Sequence, residues 1–204
     1  NWGHMDNICV IPNANTFSTH QTAVLNARRV IAIGRYNYQK GFDRLIKVWK
    51  TVNQVCPEWT LDIIGEGEDK AWLQSLINYE KLNGSVRLMP VTSDIENVYL
   101  GASVVAMSSH YEGLPMVLLE AQSFGLPIVA FACQCGPRDI VTDGETGFLV
   151  PEGDVEGLAD RLITVMKDDD LRFSMGKKAK EASRCFEEET VMKKWMETFQ
   201  TLLK

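Results

Sequence analysis

The sequence predicts an α/β fold: a Rossmann-like, doubly wound parallel sheet of about six strands, with extra helices at the C-terminal end. Three observations support this prediction. Short apolar segments rich in β-branched residues recur along the chain, segments with helical spacing separate them, and only helical patterns remain from Asp154 onward. Alternating strands and helices favour right-handed β-α-β units, which build parallel sheets covered by helices on both faces.

The predicted strands are nearly continuous apolar segments, as expected when both faces of a strand are buried. They cover Val30–Ile33, Leu61–Ile64, Val86–Met89, Ser103–Met107, Ile128–Phe131 and Gly147–Val150. A further short strand is predicted at Ile8–Ile11, before a proline and an asparagine.

The helices between these strands are predicted from apolar residues that share one side of a helix. Their expected boundaries are Gly41 and Cys56–Pro57 for the first helix, Asn83–Gly84 for the end of the second, and the capping residues Asp94 and Asp154 for two later ones. The last helix, Glu188–Leu203, has a wide apolar face. That face must pack on this domain or on another part of the protein.

The composition is that of an ordinary globular protein, with 204 residues, 45% apolar and 24% charged. This length accommodates one sizeable α/β domain. The net charge of −6 argues against a nucleic-acid-binding surface, and no apolar segment is long enough for a transmembrane helix. The five cysteines are odd in number and lack metal-site spacing, which favours the reduced thiols of a cytoplasmic protein.

Two cations follow the first predicted strand, at the sheet edge where parallel α/β folds bind ligands. Arg35 lies at the end of the strand, and Lys40 lies directly before a helix. A cation at a helix N-terminus is unfavourable unless an anion lies between the two. Together with free helix amides, two cations can hold a diphosphate. The alternative interpretation is a pair of solvated side chains in ordinary surface ion pairs.

The segment Glu112–Ala121 follows the most apolar predicted strand and opens a helix. Pro115 suits the first turn of that helix, and Gly113 allows the backbone to approach a ligand closely. The amides predicted to be free donors for phosphate or sugar oxygens are those of Leu114, Met116 and Val117.

Two glutamates of this segment are candidates for ligand contacts. Glu112 and Glu120 are eight residues apart, or about 12 Å if both were helical, which is too far for the carboxylate pair of a glycosidase. We therefore expect them to hold different parts of one long ligand. In the alternative interpretation, Glu112 only complements the helix dipole and Glu120 is an exposed helix residue. However, Glu120 lies in an otherwise apolar helix and needs a polar partner.

These residues together resemble the C-terminal domain of group 1 glycosyltransferases (glycosyltransferase family 4, GT-B architecture). The matching segments occur in the family's order and are Ala32–Arg35, Gln39–Asp43, Leu61–Gly67, the E-x7-E segment Glu112–Ala121, Gly136–Val141 and Asp143–Val150. The resemblance extends over nearly all of the chain from about Ile8. It implies a retaining, metal-independent transfer of a sugar from a nucleotide-diphosphate-sugar donor to a saccharide or lipid-linked acceptor, without a cofactor.

The resemblance also implies a role for each candidate residue. The implied contacts are the donor diphosphate for Arg35, Lys40, Met116 and Val117, the transferred sugar for Glu112, Gly113 and Leu114, the ribose for Glu120, and the base of a UDP- or GDP-sugar for Val91 and Glu66. Pro115 stands where relatives often have glycine, so that one backbone donor is lost. No catalytic residue and no metal ligand is assigned.

By the same resemblance, residues 1–204 form one donor-binding domain of a two-domain enzyme. Residues 1–28 would lead in from the other domain, and a terminal helix at about 186–204 would pack toward it. The acceptor site and any peripheral membrane contact would belong to that other domain. The expected location is the cytoplasm, at the inner face of the membrane.

Other functions stay open at this point. The chain would also suit another GT-B enzyme, such as a sugar-nucleotide epimerase or a phosphorylase, or a non-catalytic nucleotide-sugar-binding module. A response-regulator-like domain is disfavoured, because Arg35 stands where such a domain needs an acidic residue. Asp168–Asp170 contains a D-x-D pattern, but a solvated turn with a helix cap is favoured there. His110 borders the site, and we expect a structural role for it.

Overall fold

The computed structural model of the protein describes residues 8–17 and 19–203. Its strands are β1 (Arg29–Ile33), β2 (Thr60–Ile64), β3 (Val86–Met89), β4 (Val104–Met107), β5 (Ile128–Phe131) and β6 (Gly147–Val150). All pairs are parallel, in the order β3-β2-β1-β4-β5-β6. The predicted doubly wound sheet is confirmed, and the six main predicted strands agree with the structure to within one residue at each end.

The helices are α1 (Phe42–Val55), α2 (Lys70–Tyr79), α3 (Ile95–Leu100), α4 (Met116–Ser123), α5 (Pro137–Ile140), α6 (Val155–Lys167), α7 (Asp169–Ala182) and α8 (Glu188–Leu202). Three of them follow the last strand, as predicted. The predicted cap of α6 is also confirmed, because Asp154 Oδ1 accepts a hydrogen bond from the Gly157 amide at 2.9 Å. Asp168 caps α7 in the same way through the Leu171 amide, so that the D-x-D pattern is a helix cap.

Two predictions at segment ends are wrong. Ile8–Ile11 is not a strand; it runs beside α8, where Cys9 Sγ lies 3.4 Å from Thr198 Oγ1, and a strand forms only where a neighbouring strand can pair with it. Asp94 caps no backbone amide of α3. Instead, both of its carboxylate oxygens accept from Asn97 Nδ2, at 2.9 and 3.0 Å.

Two helix boundaries also differ from the prediction. The helix α2 ends at Tyr79 rather than near Asn83–Gly84, because Lys81 adopts a left-handed backbone conformation with φ 59° that stops the helix early. Pro115 directly precedes α4 instead of lying in its first turn, with φ −72° and ψ 94°. The extended backbone at Pro115 turns the chain into the helix.

The core is divided by the sheet into two layers. Val30 and Ala32 point to the face covered by α1, α2 and α6, whereas Ile31 points to the face covered by α3 and α4. The segment before β1 is bound to this second face, since the Ala23 amide donates to Phe124 O at 2.8 Å and Arg172 Nε donates to Leu25 O at 2.8 Å. The described residues of the segment before β1, predicted to lead in from another domain, therefore pack on this domain.

The apolar face of the terminal helix α8 stays largely uncovered. Val191 is buried, but the other large apolar residues of α8 are between 41% and 76% exposed: Met192, Trp195, Met196, Phe199 and Leu202. The predicted alternative of packing on this domain is thus mostly not realised within the described residues. None of the helices in the described part of the chain has the length and hydropathy needed to cross a bilayer.

Candidate functional site

The strand order reverses between β1 and β4, and this opens a crevice at the carboxyl ends of the two strands, where open α/β sheets bind ligands. Two loops meet there, one after each strand. The His110 amide donates to Gln39 O at 2.8 Å, and Gln39 Nε2 donates to Tyr111 O at 3.2 Å. Ser108 Oγ donates to Lys40 O at 2.9 Å. These bonds hold the two predicted halves of the site together.

Lys40 and Glu112 contact each other directly in this crevice. Lys40 Nζ donates to Glu112 Oε1 at 2.7 Å, and Ser109 Oγ donates to the same oxygen at 2.6 Å. The Glu112 side chain is 6% exposed and the Lys40 side chain 20%. The two predicted ligand-binding residues are therefore brought together, and each neutralises the other.

The close approach of the two loops requires a glycine at the start of α1. Gly41 has φ 58°, and a Cβ atom at this position would lie 2.4 Å from Ser108 O. A short 3-10 turn from Tyr38 to Lys40 precedes it, and its Asn37 cap accepts from the Lys40 amide. This geometry places Lys40 before the helix, as the sequence predicts.

The loop after β5 packs against the segment from Glu112 to Leu114. Gly136 has φ 85°, and a Cβ atom there would lie 2.4 Å from both Gly113 O and Pro115 Cδ. By contrast, a Cβ atom on Gly113 would meet no protein atom within 4 Å among the described residues. The protein itself thus leaves room above Gly113, where the sequence predicts the close approach of a ligand.

The helix α4 begins with amides that have no backbone acceptor in the described part of the chain. Its first internal bond runs from the Leu118 amide to Pro115 O at 2.9 Å, so that the amides of Met116 and Val117 stay available. The sequence predicts these two amides as phosphate donors. Their position after β4 places them at the same sheet edge as Lys40.

Glu120 has the polar partners that its apolar helix requires. Tyr99 Oη donates to Glu120 Oε2 at 2.6 Å, and Thr16 Oγ1 donates to Glu120 Oε1 at 3.0 Å. Burial, together with the negative charge of Glu120, raises the pKa of Tyr99 well above its usual value. Tyr99 therefore remains a proton donor at neutral pH. The prediction that Glu120 has a partner is confirmed, although the sequence does not identify either one.

Arg35 lies at a pocket that Lys40 itself does not line. This pocket has a volume of about 220 Å³ and also includes Glu66 and Val91, the two residues predicted to meet a base. The lining of this pocket requires a glycine at Gly65, because a Cβ atom there would lie 1.9 Å from Gly34 O. Arg35 is exposed and forms no ion pair with the described residues, so that its charge is available to a ligand.

His110 occupies the rim of the crevice. Its ring stacks on Tyr38 with the centroids 4.2 Å apart, and its Nδ1 lies 3.7 Å from Glu152 Oε1. Burial and nearby Arg44 lower the pKa of His110 against the opposite influence of Asp43 and Glu152. These contacts agree with the structural role predicted for His110.

Sequence reasoning missed Ser109, Tyr99 and Thr16, which contact the two glutamates. The signal for Ser109 was its position three residues before Glu112. For Tyr99 and Thr16 the chain offers no local signal, since they lie 21 and 104 residues from Glu120. All five cysteines are free thiols, and the described residues contain no cluster of three metal-ligating side chains.

The arrangement can hold an elongated anion with hydroxyl groups. Cations and helix amides lie at one sheet edge, and two carboxylates accept from hydroxyls. A comparison of the sequence with known families gives a match over residues 16–182 to the family described as glycosyl transferases group 1. The chain belongs to the group 1 glycosyl transferases. The resemblance to group 1 glycosyltransferases that the site motifs indicate is thus confirmed at the level of the family.

Curated relatives of this group 1 transferase chain include a glycosyltransferase for amylovoran biosynthesis, AmsD from Erwinia amylovora. AmsD is 35% identical over 200 residues, which cover 94% of this chain and 55% of AmsD. An uncharacterized glycosyltransferase of Haemophilus influenzae is 34% identical over 191 residues, covering 93% of this chain and 54% of the relative. The chain thus spans about half the length of these relatives.

Solved structures of group 1 type share the fold. A Staphylococcus aureus TarM variant in complex with fondaparinux, α-GlcNAc-glycerol and UDP superposes with a TM-score of 0.80 at 28% identity, over 95% of this chain and 38% of TarM. HepE from Anabaena in complex with UDP superposes with a TM-score of 0.78 at 25% identity, over 85% of this chain and 48% of HepE.

Proposed function

We propose that this chain binds a nucleotide-sugar donor and forms the donor-binding half of a glycosyltransferase. The full enzyme would transfer the sugar to a saccharide or lipid-linked acceptor. The observation that carries the proposal is the contact of Lys40 with Glu112 at the point where the strand order reverses. A cation and a carboxylate at that position, beside the free amides of α4, match the phosphate and the hydroxyls of one ligand.

The proposed donor lies along the crevice with its parts distributed over the predicted residues. The base enters the pocket of Glu66 and Val91, and the ribose reaches Glu120. Arg35 and Lys40, with the first amides of α4, hold the diphosphate. The sugar lies over Gly113, where the protein leaves space, within reach of Glu112 and the backbone of Leu114. Uridine is the proposed base, because the solved relatives TarM and HepE were captured with UDP.

Donor binding is proposed to divide the ion pair between Lys40 and Glu112. In the structure the two side chains neutralise each other at 2.7 Å. A diphosphate oxygen is a second charged acceptor for the ammonium group, and a sugar hydroxyl is a natural donor to the carboxylate. The exchange replaces one charge-assisted contact with two, so that neither group is left buried without a partner.

Transfer is proposed to retain the anomeric configuration and to need no metal ion. Negative charge develops on the diphosphate as its bond to the sugar breaks. Arg35, Lys40 and the amides of Met116 and Val117 are fixed donors at the proposed position of that charge, and preorganised donors of this kind stabilise a transition state.

The acceptor site is proposed to lie in a second domain. The relatives are about twice as long as this chain, and the exposed apolar residues of α8 offer a surface for such a domain. Work at the cytoplasmic face of the membrane is proposed for the whole enzyme; the five free thiols support a reducing compartment.

The proposal is tested by calorimetric titration of the protein with a panel of UDP- and GDP-sugars. We expect a UDP-sugar to bind and Arg35→Ala to weaken that binding by roughly tenfold or more, as expected for loss of a charge-assisted contact. Arg184→Ala serves as the matched control, because Arg184 is exposed and lies after α7. An unchanged affinity in Arg35→Ala would show the diphosphate assignment to be wrong. Efficient transfer to an acceptor by residues 1–204 alone would contradict the assignment of the acceptor site to a second domain.

A further inference from the structure

The two carboxylate oxygens of Glu120 are each occupied by a hydroxyl from a different segment. Tyr99, on α3, donates to Oε2 at 2.6 Å, and Thr16, in the segment before β1, donates to Oε1 at 3.0 Å. The bond from Tyr99 has the short length typical of a hydroxyl bound to a charged carboxylate. The carboxylate plane is therefore set from two directions by the protein itself.

The ring of Tyr99 cannot move easily. It is fully buried and stacks on Phe124, with centroids 5.1 Å apart and an angle of 11° between the rings. Phe17 contacts both rings edge-on, at 6.3 Å from Tyr99 and 5.4 Å from Phe124. Because the ring is packed on several sides, the direction of its hydroxyl is determined by the core rather than by Glu120.

Thr16 is held by the backbone beside it. Asn15 Nδ2 donates to Leu119 O at 3.1 Å, and the Asn15 amide donates to Phe186 O at 2.7 Å. The first bond attaches the segment before β1 to α4, the helix that carries Glu120, and the second attaches it to the turn Ser183–Phe186 after α7. Thr16 is exposed, however, so that its hydroxyl has more freedom than that of Tyr99.

We propose that Tyr99 and Thr16 are positioning residues that orient Glu120 to accept both hydroxyls of a ribose, and that this arrangement makes the site select ribonucleotides over deoxyribonucleotides. The inference rests on the proposed function. An ionised carboxylate has about four acceptor positions, of which the protein uses two. The remaining positions, one on each oxygen, match two adjacent hydroxyl groups of one ligand.

The specificity follows from the same geometry. A carboxylate that is held in place cannot turn to compensate for a missing donor, and a site built to bond a hydroxyl discriminates strongly against an analogue that lacks it. Removing the Tyr99 hydroxyl leaves one acceptor position of Glu120 without its protein donor. It also allows the carboxylate to rotate. The benefit of the ribose hydroxyls then falls, whereas contacts to base and diphosphate persist.

The test is calorimetric titration with UDP, 2′-deoxy-UDP and 3′-deoxy-UDP. For the unsubstituted protein we expect UDP to bind roughly tenfold more tightly than either deoxy form. In Tyr99→Phe the affinity for UDP should fall about three- to tenfold, while the affinities for the deoxy forms stay nearly unchanged, so that the preference collapses. Thr16→Val should act in the same direction with a smaller effect. Glu120→Gln defines the loss expected when the carboxylate charge itself is removed.

Tyr36→Phe is the matched control. Tyr36 is also fully buried, and its hydroxyl bonds Ile63 O and Met89 O at 2.8 Å without contacting Glu120. Its removal should leave the ratio of UDP to deoxy-UDP affinity unchanged. Circular dichroism and thermal unfolding confirm that each variant is folded before titration.

The outcomes separate this inference from the proposed function. Failure of UDP to bind the unsubstituted protein overturns the proposed function and the inference together. If UDP binds and Glu120→Gln reduces the preference, but Tyr99→Phe and Thr16→Val do not, only the positioning role is wrong. An equal loss for UDP and both deoxy forms in Tyr99→Phe would assign Tyr99 a general structural role and would likewise overturn the inference.

Discussion

The two glutamates of the site lie at opposite ends of one short segment and are held by different kinds of partner. Glu112 contacts a cation, Lys40, at 2.7 Å, in addition to the Ser109 hydroxyl at 2.6 Å. Glu120 contacts the hydroxyls of Tyr99 and Thr16, and no cation lies within ion-pair distance of it in the described part of the chain. A cation neutralises a carboxylate, whereas hydroxyls orient it and leave its charge intact.

In the proposed binding mode, the difference corresponds to two modes of ligand binding within one site. The Glu112 end rearranges in that proposal, because the phosphate of the proposed donor competes for Lys40. The Glu120 end is preorganised, since its two partners leave acceptor positions open. Binding at a preorganised group avoids the free-energy cost of ordering it, which favours tight binding of the nucleoside part of a donor.

The largest effect that separates the two ends is expected from Gly136→Ala. Gly136 lies under Gly113 and has φ 85°, and a new Cβ atom would lie 2.4 Å from a backbone oxygen. We expect the free energy of unfolding to fall by about 2–3 kcal/mol, from the strained backbone and the steric clash together. The affinity for a UDP-sugar should fall more than the affinity for UDP, because the Glu112 end is displaced. Urea denaturation and calorimetry measure the two effects.

Gly113→Ala is the matched control for this substitution. Its Cβ atom would meet no described protein atom within 4 Å, so that we expect stability to change by less than about 0.5 kcal/mol. Only the affinity for the sugar-bearing ligand should fall, because the methyl group enters the proposed sugar space. A Gly136→Ala protein as stable as Gly113→Ala would contradict the steric argument.

A double-mutant cycle measures the second effect, the coupling of Lys40 with Glu112. Lys40→Met leaves a carboxylate that is 6% exposed and has, among the described residues, only the Ser109 hydroxyl as partner. We expect this change to lower the free energy of unfolding by about 1–2 kcal/mol, and expect Glu112→Gln in the same protein to restore part of it. Urea denaturation of the four proteins gives the coupling energy.

The same cycle on Tyr99→Phe and Glu120→Gln makes the comparison quantitative. A hydroxyl bound to a charged group contributes about 1.5–3 kcal/mol when buried, but Glu120 is only part-buried and keeps Thr16 as a partner. We therefore expect a smaller coupling than for Lys40 and Glu112. Equal or larger coupling at the Glu120 end would show that charge neutralisation is not what distinguishes the two glutamates.

The smallest effect is a difference in pH dependence. His110, at the Glu112 end, has a pKa lowered by burial and by Arg44. The unfolded chain then takes up a proton more readily than the folded protein. The stability contributed by neutral His110 is present above the unfolded pKa of about 6.5 and is lost as pH falls through the lower folded pKa. We expect a loss below about 1 kcal/mol, since solvent screens this partly exposed group.

Tyr99, at the Glu120 end, affects stability at alkaline pH rather than at acid pH. Burial and Glu120 raise its pKa, so that its contribution is present below the unfolded pKa of about 10 and is lost as pH rises above that value. Urea denaturation at pH 5, 7.5 and 10.5 separates the two groups when it is repeated with His110→Gln and Tyr99→Phe. If the loss of stability at pH 5 disappeared in Tyr99→Phe instead of in His110→Gln, its assignment to His110 would be contradicted.

Much of the fold could be predicted from the chain because strands and helices depend on local patterns. The six main strands follow from apolar segments, and α1 follows from apolar spacing between Gly41 and Cys56. The prediction fails at Ile8–Ile11, where the apolar pattern is present but the segment pairs with no strand among the described residues. A local pattern states what a segment can form, and pairing decides what it does form.

The site was predicted in part. Arg35, Lys40 and Glu112 lie in loops after parallel strands, and Glu120 lies in the helix that follows one of these loops. That placement follows from the order of strands and helices along the chain. The sequence does not predict that Arg35 lines a pocket whereas Lys40 forms an ion pair with Glu112. These contacts depend on which loops are neighbours in space.

By itself, the sequence determined the fold class, the positions of the strands and the set of polar residues at one sheet edge. All of these depend on residues close together in the chain. Only the tertiary structure decided the partners: Lys40 lies 72 residues from Glu112, and Tyr99 and Thr16 lie 21 and 104 residues from Glu120. The physical reason is the strand order. Placing β1 next to β4 brings their loops into contact, and no periodicity in the chain specifies which strands become neighbours.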